Sequence, residues 1–133
     1  IVAVEIAPRM MRDLSKLSEL RPGLIPVLGD ARNPSHLIPY LRSKVDWIHQ
    51  DISVADQTKS FIKISELFLK VGGIGILSLK AASERWIEGG DDSRFRIAKD
   101  LLNSNQNITL LENIDISHFE DQHRVFVIRK DSN

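Results

Sequence analysis

The stretch Ile74-Gly75-Ile76-Leu77-Ser78-Leu79 is nearly all apolar, preceded by Gly72-Gly73 and followed at once by Lys80. A short run of that kind reads as a strand covered on both faces, because a strand with one solvated face alternates apolar and polar residues instead. Such a strand needs a layer above it and a layer below. The rest of the chain offers them: short β-branched runs alternate with amphipathic helical patterns, the order of a mostly parallel sheet flanked by helices.

The chain divides into ten predicted elements. Ile1 to Ile6 reads as a strand, and Pro8 opens a helix with Met10, Met11, Leu14, Leu17 and Leu20 at three- and four-residue spacings. The Met10-Met11 pair reads there as core or interface filler. Leu24 to Leu28 is the next strand, then a short helix spans about Ser35 to Leu41, then the strand Val45 to Asp51. Asp56-Gln57-Thr58 opens a helix with the stripe Phe61, Ile64, Leu67 and Phe68, which Gly72-Gly73 ends. "AASERWIEGGDDSR" is polar and turn-rich, a surface loop, and a helix follows from about Ser93 to Ser104. Strands Ile108 to Ile116 and Arg124 to Ile128 are joined by "SHFEDQH", too short for a crossover helix, so they pair as an antiparallel hairpin. The predicted class is α/β, with helices on both faces of the sheet and one antiparallel strand at its end.

Composition narrows the function classes. At 133 residues the chain fits one domain with a sizeable core. With 18 Lys and Arg against 18 Asp and Glu the net charge is zero, so no global basic field draws nucleic acid and any RNA contact rests on a local patch or a partner. The absence of cysteine excludes disulfides, thiolate chemistry and Cys-based metal sites. His36, His49 and His118 have no metal-ligand spacing, so no metal is expected. No apolar run approaches the ~20 residues that span a bilayer. "IVAVEIAPRMM" lacks the features of a secretory signal, and a soluble intracellular chain is the expectation.

Open α/β sheets bind ligands beyond the carboxyl ends of their strands. Those ends here deliver Glu5, Asp30, Asp51 and Lys80 in succession. Each acid is either a ligand contact or a turn residue; Asp30, before Ala31 and Asn33-Pro34, suits an Asx-turn as well as a contact. As a set they suit an adenosine-containing ligand. A carboxylate offers two acceptor oxygens to the two hydroxyls of a ribose, which fits Glu5, and an acid on the next strand accepts from a purine amino group, which fits Asp30. Asp51 and Lys80 end neighbouring strands and could hold or deprotonate a hydroxyl, or form a structural ion pair. His123, entering the last strand, is the remaining titratable group able to reach that edge.

Several stretches together resemble the fibrillarin family, the 2′-O-methyltransferases of box C/D guide ribonucleoproteins. They are "VAVEIAPRMMRDL", "IPVLGDARNP", "VDWIHQDIS" followed by "DQT", "GGIGILSLKA" and "DQHRVFVIRK", in family order and spacing. The resemblance implies a Rossmann-like class I S-adenosylmethionine-dependent methyltransferase sheet, with residues 1 to 133 in its methyltransferase domain. It implies that Glu5 and Ile6 bind the ribose and pack beside the adenine, that Asp30 and Ala31 contact the adenine, and that Asp51, Ile52, Ser53 and Val54 line the methionine side of S-adenosylmethionine. Asp51, Lys80 and His123 match three members of the family's Lys-Asp-Lys-His catalytic set. Implied partners are a guide RNA and its target RNA, a scaffold of the Nop5 or Nop56/58 type and an L7Ae-type RNA-binding protein. The implied place is the cytoplasm for an archaeal-type protein and the nucleolus for a eukaryotic one.

Two departures stand out. Where the family reads Asp-Val-Ala-Gln, this chain reads Asp51-Ile52-Ser53-Val54, so the contact made by that Gln is lost or taken up by Gln57. The matched segments also begin after the family's N-terminal β domain, its first catalytic Lys, its first sheet strand and its Gly-rich cofactor turn. In a sheet of order 3-2-1-4-5-7-6 that first strand is central. Residues 1 to 133 are therefore expected to be part of a longer protein and, by themselves, poorly stable and inactive. The other readings are a methyltransferase for a base or small molecule, disfavoured because "DISV" stands where an Asn-Pro-Pro-Tyr-like loop is needed, a non-catalytic binding or scaffold module, and, more distantly, a dinucleotide-dependent dehydrogenase.

Overall fold

The structure, a computed structural model, describes residues 1–132. Two units, Ile1–Ser43 and Lys44–Asn133, make up the stretch that the sequence assigns to one methyltransferase domain. Among the described residues no helix is long and apolar enough to cross a membrane.

In the first unit, β1 (Val2–Glu5) and β2 (Ile25–Leu28) pair in parallel, joined by α1 (Pro8–Leu20). Pro8 sits in the first turn of α1, where its missing N–H costs nothing. The helix stops before Pro22-Gly23, and Gly23 takes φ +88° to turn the chain into β2. Val27 and Leu37 are buried. Met10 is 55% exposed and so not core within this chain, while Met11 and Leu14 are half-buried. The helix expected over residues 35–41 is replaced by two 3-10 turns, Pro34–His36 and Ile38–Tyr40. The reason is Pro39, which inside an α-helix would lack its donor and press on the preceding turn. Asn33 starts the first turn, its Oδ1 accepting from the Ser35 amide at 3.3 Å.

The second unit contains β3 (Val45–Gln50), α2 (Gln57–Phe68), β4 (Leu69–Lys80), α3 (Asp91–Ser104), β5 (Ile108–Asp115) and β6 (His123–Lys130), with a 3-10 turn at Ala81–Ser83. The strand order is β3-β4-β6-β5; β3 and β4 are parallel and β6 runs antiparallel to both of its neighbours. The hairpin of β5 and β6 is as expected, with β6 inserted beside β4. Each unit keeps its own part of the expected strand sequence: β2-β1 corresponds to 3-2 and β3-β4-β6-β5 to 4-5-7-6.

The core lies on one face of this sheet. Phe61 of α2 and Phe95, Ala98 and Leu102 of α3 cluster with Leu77, Leu79, Phe126 and Ile128. Both helices of this unit therefore cover the same face of its sheet. Of the expected α2 stripe Phe61 and Ile64 are buried, whereas Leu67 is 46% exposed; Thr58 and Ser65 complete the buried side. At Gly75 the packing is tightest: a Cβ there would lie 2.8 Å from both Ile128 Cγ1 and Phe61 Cζ. Gly75→Ala should therefore cost about 2 kcal/mol through overpacking, read as a lower urea midpoint at unchanged m.

The end of α2 departs from expectation. The helix stops at Phe68, before Gly72-Gly73, and those glycines lie inside β4. Between Val45 and Trp47 the ladder skips from Leu69 to Ile74, and Gly72, at φ +82°, lets the extra residues bulge out. What closes the helix is distant in sequence: buried Lys130 on β6 donates from Nζ to the carbonyls of Glu66 (2.6 Å) and Leu69 (3.1 Å). Burial pushes the Lys130 ammonium below the usual lysine range.

Candidate functional site

The first unit brings together the two acids expected at an adenosine. Glu5 ends β1 opposite Leu28 in the β1–β2 register, and Gly29 N donates to Glu5 O at 3.0 Å. Asp30 follows on the next strand, so both carboxylates stand at the carboxyl end of one parallel pair. Glu5 Oε1 accepts from the Ala7 amide at 2.7 Å, which fixes the carboxylate and leaves Oε2 without a protein partner. Asp30 is fully engaged. Its Oδ1 accepts from the Arg32 amide (2.9 Å), the Asx-turn foreseen, while the Arg32 guanidinium binds both oxygens, Nε at 3.0 and 3.1 Å and Nη2 at 2.6 Å. These bonds from Arg32 hold the Asp30 carboxyl below its ordinary value of 3.8. Ala31 is half-buried, and Ile6 is 55% exposed beside Glu5.

The second unit brings Lys80 and His123 together. They are register partners at the carboxyl end of β4 and the start of β6, hence on one face of the sheet. The His123 ring is tethered: Nδ1 lies 2.7 Å from the Asp121 carbonyl, which can only accept, so Nδ1 carries a proton and Nε2 is left without a protein partner. Asp51 comes one residue after β3 and is exposed; Lys80 is half-buried. Among the described residues neither forms an ion pair, so both charges remain open to a ligand. Two residues earlier on the same faces, His49 Nε2 lies 3.0 Å from Ser78 Oγ.

Behind Asp51 the segment to α2 is fastened from inside. Gln50 Nε2 donates to the Gln57 carbonyl (2.9 Å), and Gln57 Nε2 donates to the Ser78 carbonyl (2.8 Å). Gln57 is fully buried, with Oε1 unpaired. Its side chain ties α2 to β4 rather than presenting itself at the surface. Ile52 and Val54 are half-buried and Ser53 exposed. Asp56 enters α2 at φ +59°, and Gln122, just before His123, takes φ +58°. Among the described residues, the two non-glycine residues in the left-handed region thus adjoin the segments that carry the candidate groups.

The stretch at residues 81–94, expected to be a surface loop, is anchored within. Ala81, Ser83, Glu84 and Ile87 are buried. Glu84 Oε1 accepts from Thr58 N (2.7 Å) and Thr58 Oγ1 (2.8 Å), and Oε2 accepts from Trp86 Nε1. The carboxylate caps the first turn of α2 from a distant loop, and three donors repay its burial. Sequence reading missed Arg32, Gln50, Thr58, Ser78 and Glu84. Only Gln50 carried a local signal, as the inward position in the alternation of β3.

Comparison with known proteins gives the wider setting. The family description Fibrillarin matches residues 1–132. A fibrillarin-like rRNA/tRNA 2′-O-methyltransferase of Methanococcus voltae is 36% identical over 129 residues, 96% of this chain and 54% of the relative. The chain thus spans about half the length of the curated relatives it matches. Aeropyrum pernix fibrillarin, solved with natively bound S-adenosyl-L-methionine, superposes with a TM-score of 0.77 at 27% identity over 96% of this chain and 54% of that one. A solved fibrillarin/Nop5p complex gives 0.88 at 24% identity over 98% and 60%, a likeness of fold. The fold is accordingly that of the class I S-adenosylmethionine-dependent methyltransferases. A family match along residues 1–132, together with the strand order inside each unit, leads to one placement: this chain belongs to the fibrillarin family.

Proposed function

We propose that this chain is the core of an S-adenosylmethionine-dependent RNA 2′-O-ribose methyltransferase that works within a box C/D guide ribonucleoprotein on rRNA or tRNA. The observation that carries the reading is the in-register pairing of Lys80 with His123 at the carboxyl end of β4, in a chain whose relatives bear the 2′-O-methyltransferase name.

The donor set fits the cofactor. Glu5, held by Ala7 with one oxygen unused, would take the ribose diol, and exposed Ile6 offers an apolar surface to the adenine. Asp30 accepts and the Ala31 N–H, which has no protein acceptor, donates, the complement of an adenine amino group beside a ring nitrogen. Arg32 has to yield one acceptor position on Asp30. Asp51, Ile52, Ser53 and Val54 would line the methionine side, with Gln57 fixing that segment from behind. When bound, S-adenosylmethionine supplies an electrophilic methyl group on a sulfonium.

The chain's own groups then act on the acceptor hydroxyl. The Lys80 ammonium donates to the ribose oxygen and stabilises the negative charge that grows on it. Asp51, just after the end of β3, helps to orient the ribose. His123, its ring set by Asp121, positions the hydroxyl and receives or steers the proton through Nε2. Holding the nucleophile in line replaces an unfavourable encounter by a local motion.

With zero net charge, the chain leaves target choice to partners. These are a guide RNA, a Nop5-type scaffold and an L7Ae-type RNA-binding protein, assembled in the cytoplasm if the source is archaeal like the relatives. The test is transfer of a labelled methyl from S-adenosylmethionine to RNA by the full-length protein, with and without guide and scaffold. Methylation confined to the guided ribose is expected, and Asp30→Ala should weaken cofactor binding about tenfold or more. Tight cofactor binding with no ribose methylation under any assembly would instead make the protein a binding or scaffold module.

A further inference from the structure

Trp86 is built in a way that a surface tryptophan does not need. It keeps 39% of its surface in solvent, yet its indole N–H is given to Glu84, a carboxylate with no exposure at all. The other oxygen of Glu84 holds the first turn of α2 through Thr58. From that same turn Lys59 places its ammonium 3.7 Å from the centre of the indole ring. An aromatic plane is thus locked at its polar edge and topped by a cation. Arg85 is exposed next to it, and Lys63, one turn beyond Lys59, is exposed as well. Among the acids of the same loop, Asp91 lies 3.7 Å from Arg94. The platform leaves β4 only six residues after Lys80.

We propose that Trp86, with Lys59 and Arg85, is a stacking platform for a single-stranded segment of RNA. This rests on the RNA methyltransferase reading and assigns that reading an RNA-contact surface. Bases of any identity stack on an open face of an indole, and the phosphates between them seek nearby cations, of which Lys59 lies over the ring. An unpaired nucleotide presents a π-face and a charge together, and Trp86 with Lys59 is complementary to both. A protein partner would have to meet three exposed cations with acidic groups of its own; RNA brings its charge in every nucleotide.

The test uses the full-length protein and an unstructured oligouridine, with binding followed by fluorescence anisotropy across a salt series. Trp86→Ala should weaken binding about tenfold. Trp86→Phe, which keeps an aromatic face and gives up the N–H, should recover most of that loss. Lys59→Ala lies on the surface, leaves folding intact and should lower the slope of log affinity against log salt by about 0.7. Unchanged affinity in Trp86→Ala together with an unchanged salt slope in Lys59→Ala overturns the proposal. So does loss of the scaffold protein with RNA affinity unchanged, which would give the surface to a protein. Guided methyl transfer separates the two layers: if the wild type transfers and these variants bind and transfer as it does, the platform fails alone. If the wild type methylates no ribose, the enzymatic reading fails, and the anisotropy result still decides the platform.

Discussion

Lys80→Ala in the full-length protein should lower methyl transfer to the guided ribose by about 10²–10³-fold while S-adenosylmethionine affinity stays within about twofold. The expectation comes from where the lysine stands. Lys80 closes β4 opposite His123, is half-buried, and pairs with no carboxylate among the described residues. A purely structural lysine at such an edge would be expected in an ion pair. An ammonium kept free beside a tethered imidazole is placed to meet charge that arrives with a substrate or develops during reaction. Removing it takes away a donor used most strongly in the transition state, so kcat should fall and the KM for cofactor should not. His123→Ala should cost less, about tenfold, because positioning survives in part through Lys80 and Asp51. The measurement is single-turnover transfer of labelled methyl with cofactor affinity determined separately. Wild-type transfer by Lys80→Ala would remove Lys80 from the reaction.

How much of this was legible in the sequence depended on how far each cause lay along the chain. The strands were readable because their causes are local: the apolar run at Ile74–Leu79 and the alternation at Val45–Gln50 appear as the parallel pair β4 and β3. The meeting of Lys80 with His123 was half readable, since each marks a strand end, but their exact pairing depends on β6 inserting beside β4. The end of α2 was misread because Gly72-Gly73 is a conspicuous local stop, whereas the actual closure comes from Lys130, 61 residues from Leu69. Pro39 was visible, yet its effect on residues 35–41 was underweighted against the apolar pattern there. Glu84 had no local mark. A glutamate in a polar, turn-rich stretch looks solvated, and only the fold reveals that Thr58 and Trp86 surround it.

Glu84→Ala should therefore destabilise the protein by about 3 kcal/mol, the largest loss expected from a single side chain outside the apolar core. Three donors lose their acceptor at once: the Thr58 amide and hydroxyl, both buried, and the Trp86 indole N–H. The amide belongs to the first turn of α2, where no intrahelical acceptor exists to replace the carboxylate. Asp56, at the N-cap, makes no side-chain capping bond, so nothing else nearby takes over. Glu84→Gln separates charge from geometry. Its amide oxygen can still accept from Thr58, but its NH₂ then faces the indole N–H, donor against donor, and about half of the loss should remain. Thr58→Ala, which keeps the amide bond and removes the hydroxyl with its γ-methyl, should cost about 1 kcal/mol. Urea unfolding resolves the series, with the three midpoints falling in the order Thr58→Ala, Glu84→Gln, Glu84→Ala at constant m. Wild-type stability in Glu84→Ala would mean that water reaches the α2 N-terminus and that the loop is held by Ile87 and Ala81 alone. A graded loss would mean that this carboxylate joins the loop after Lys80 to the helix after Asp51, keeping the two strand ends that carry the proposed chemistry in one fixed frame.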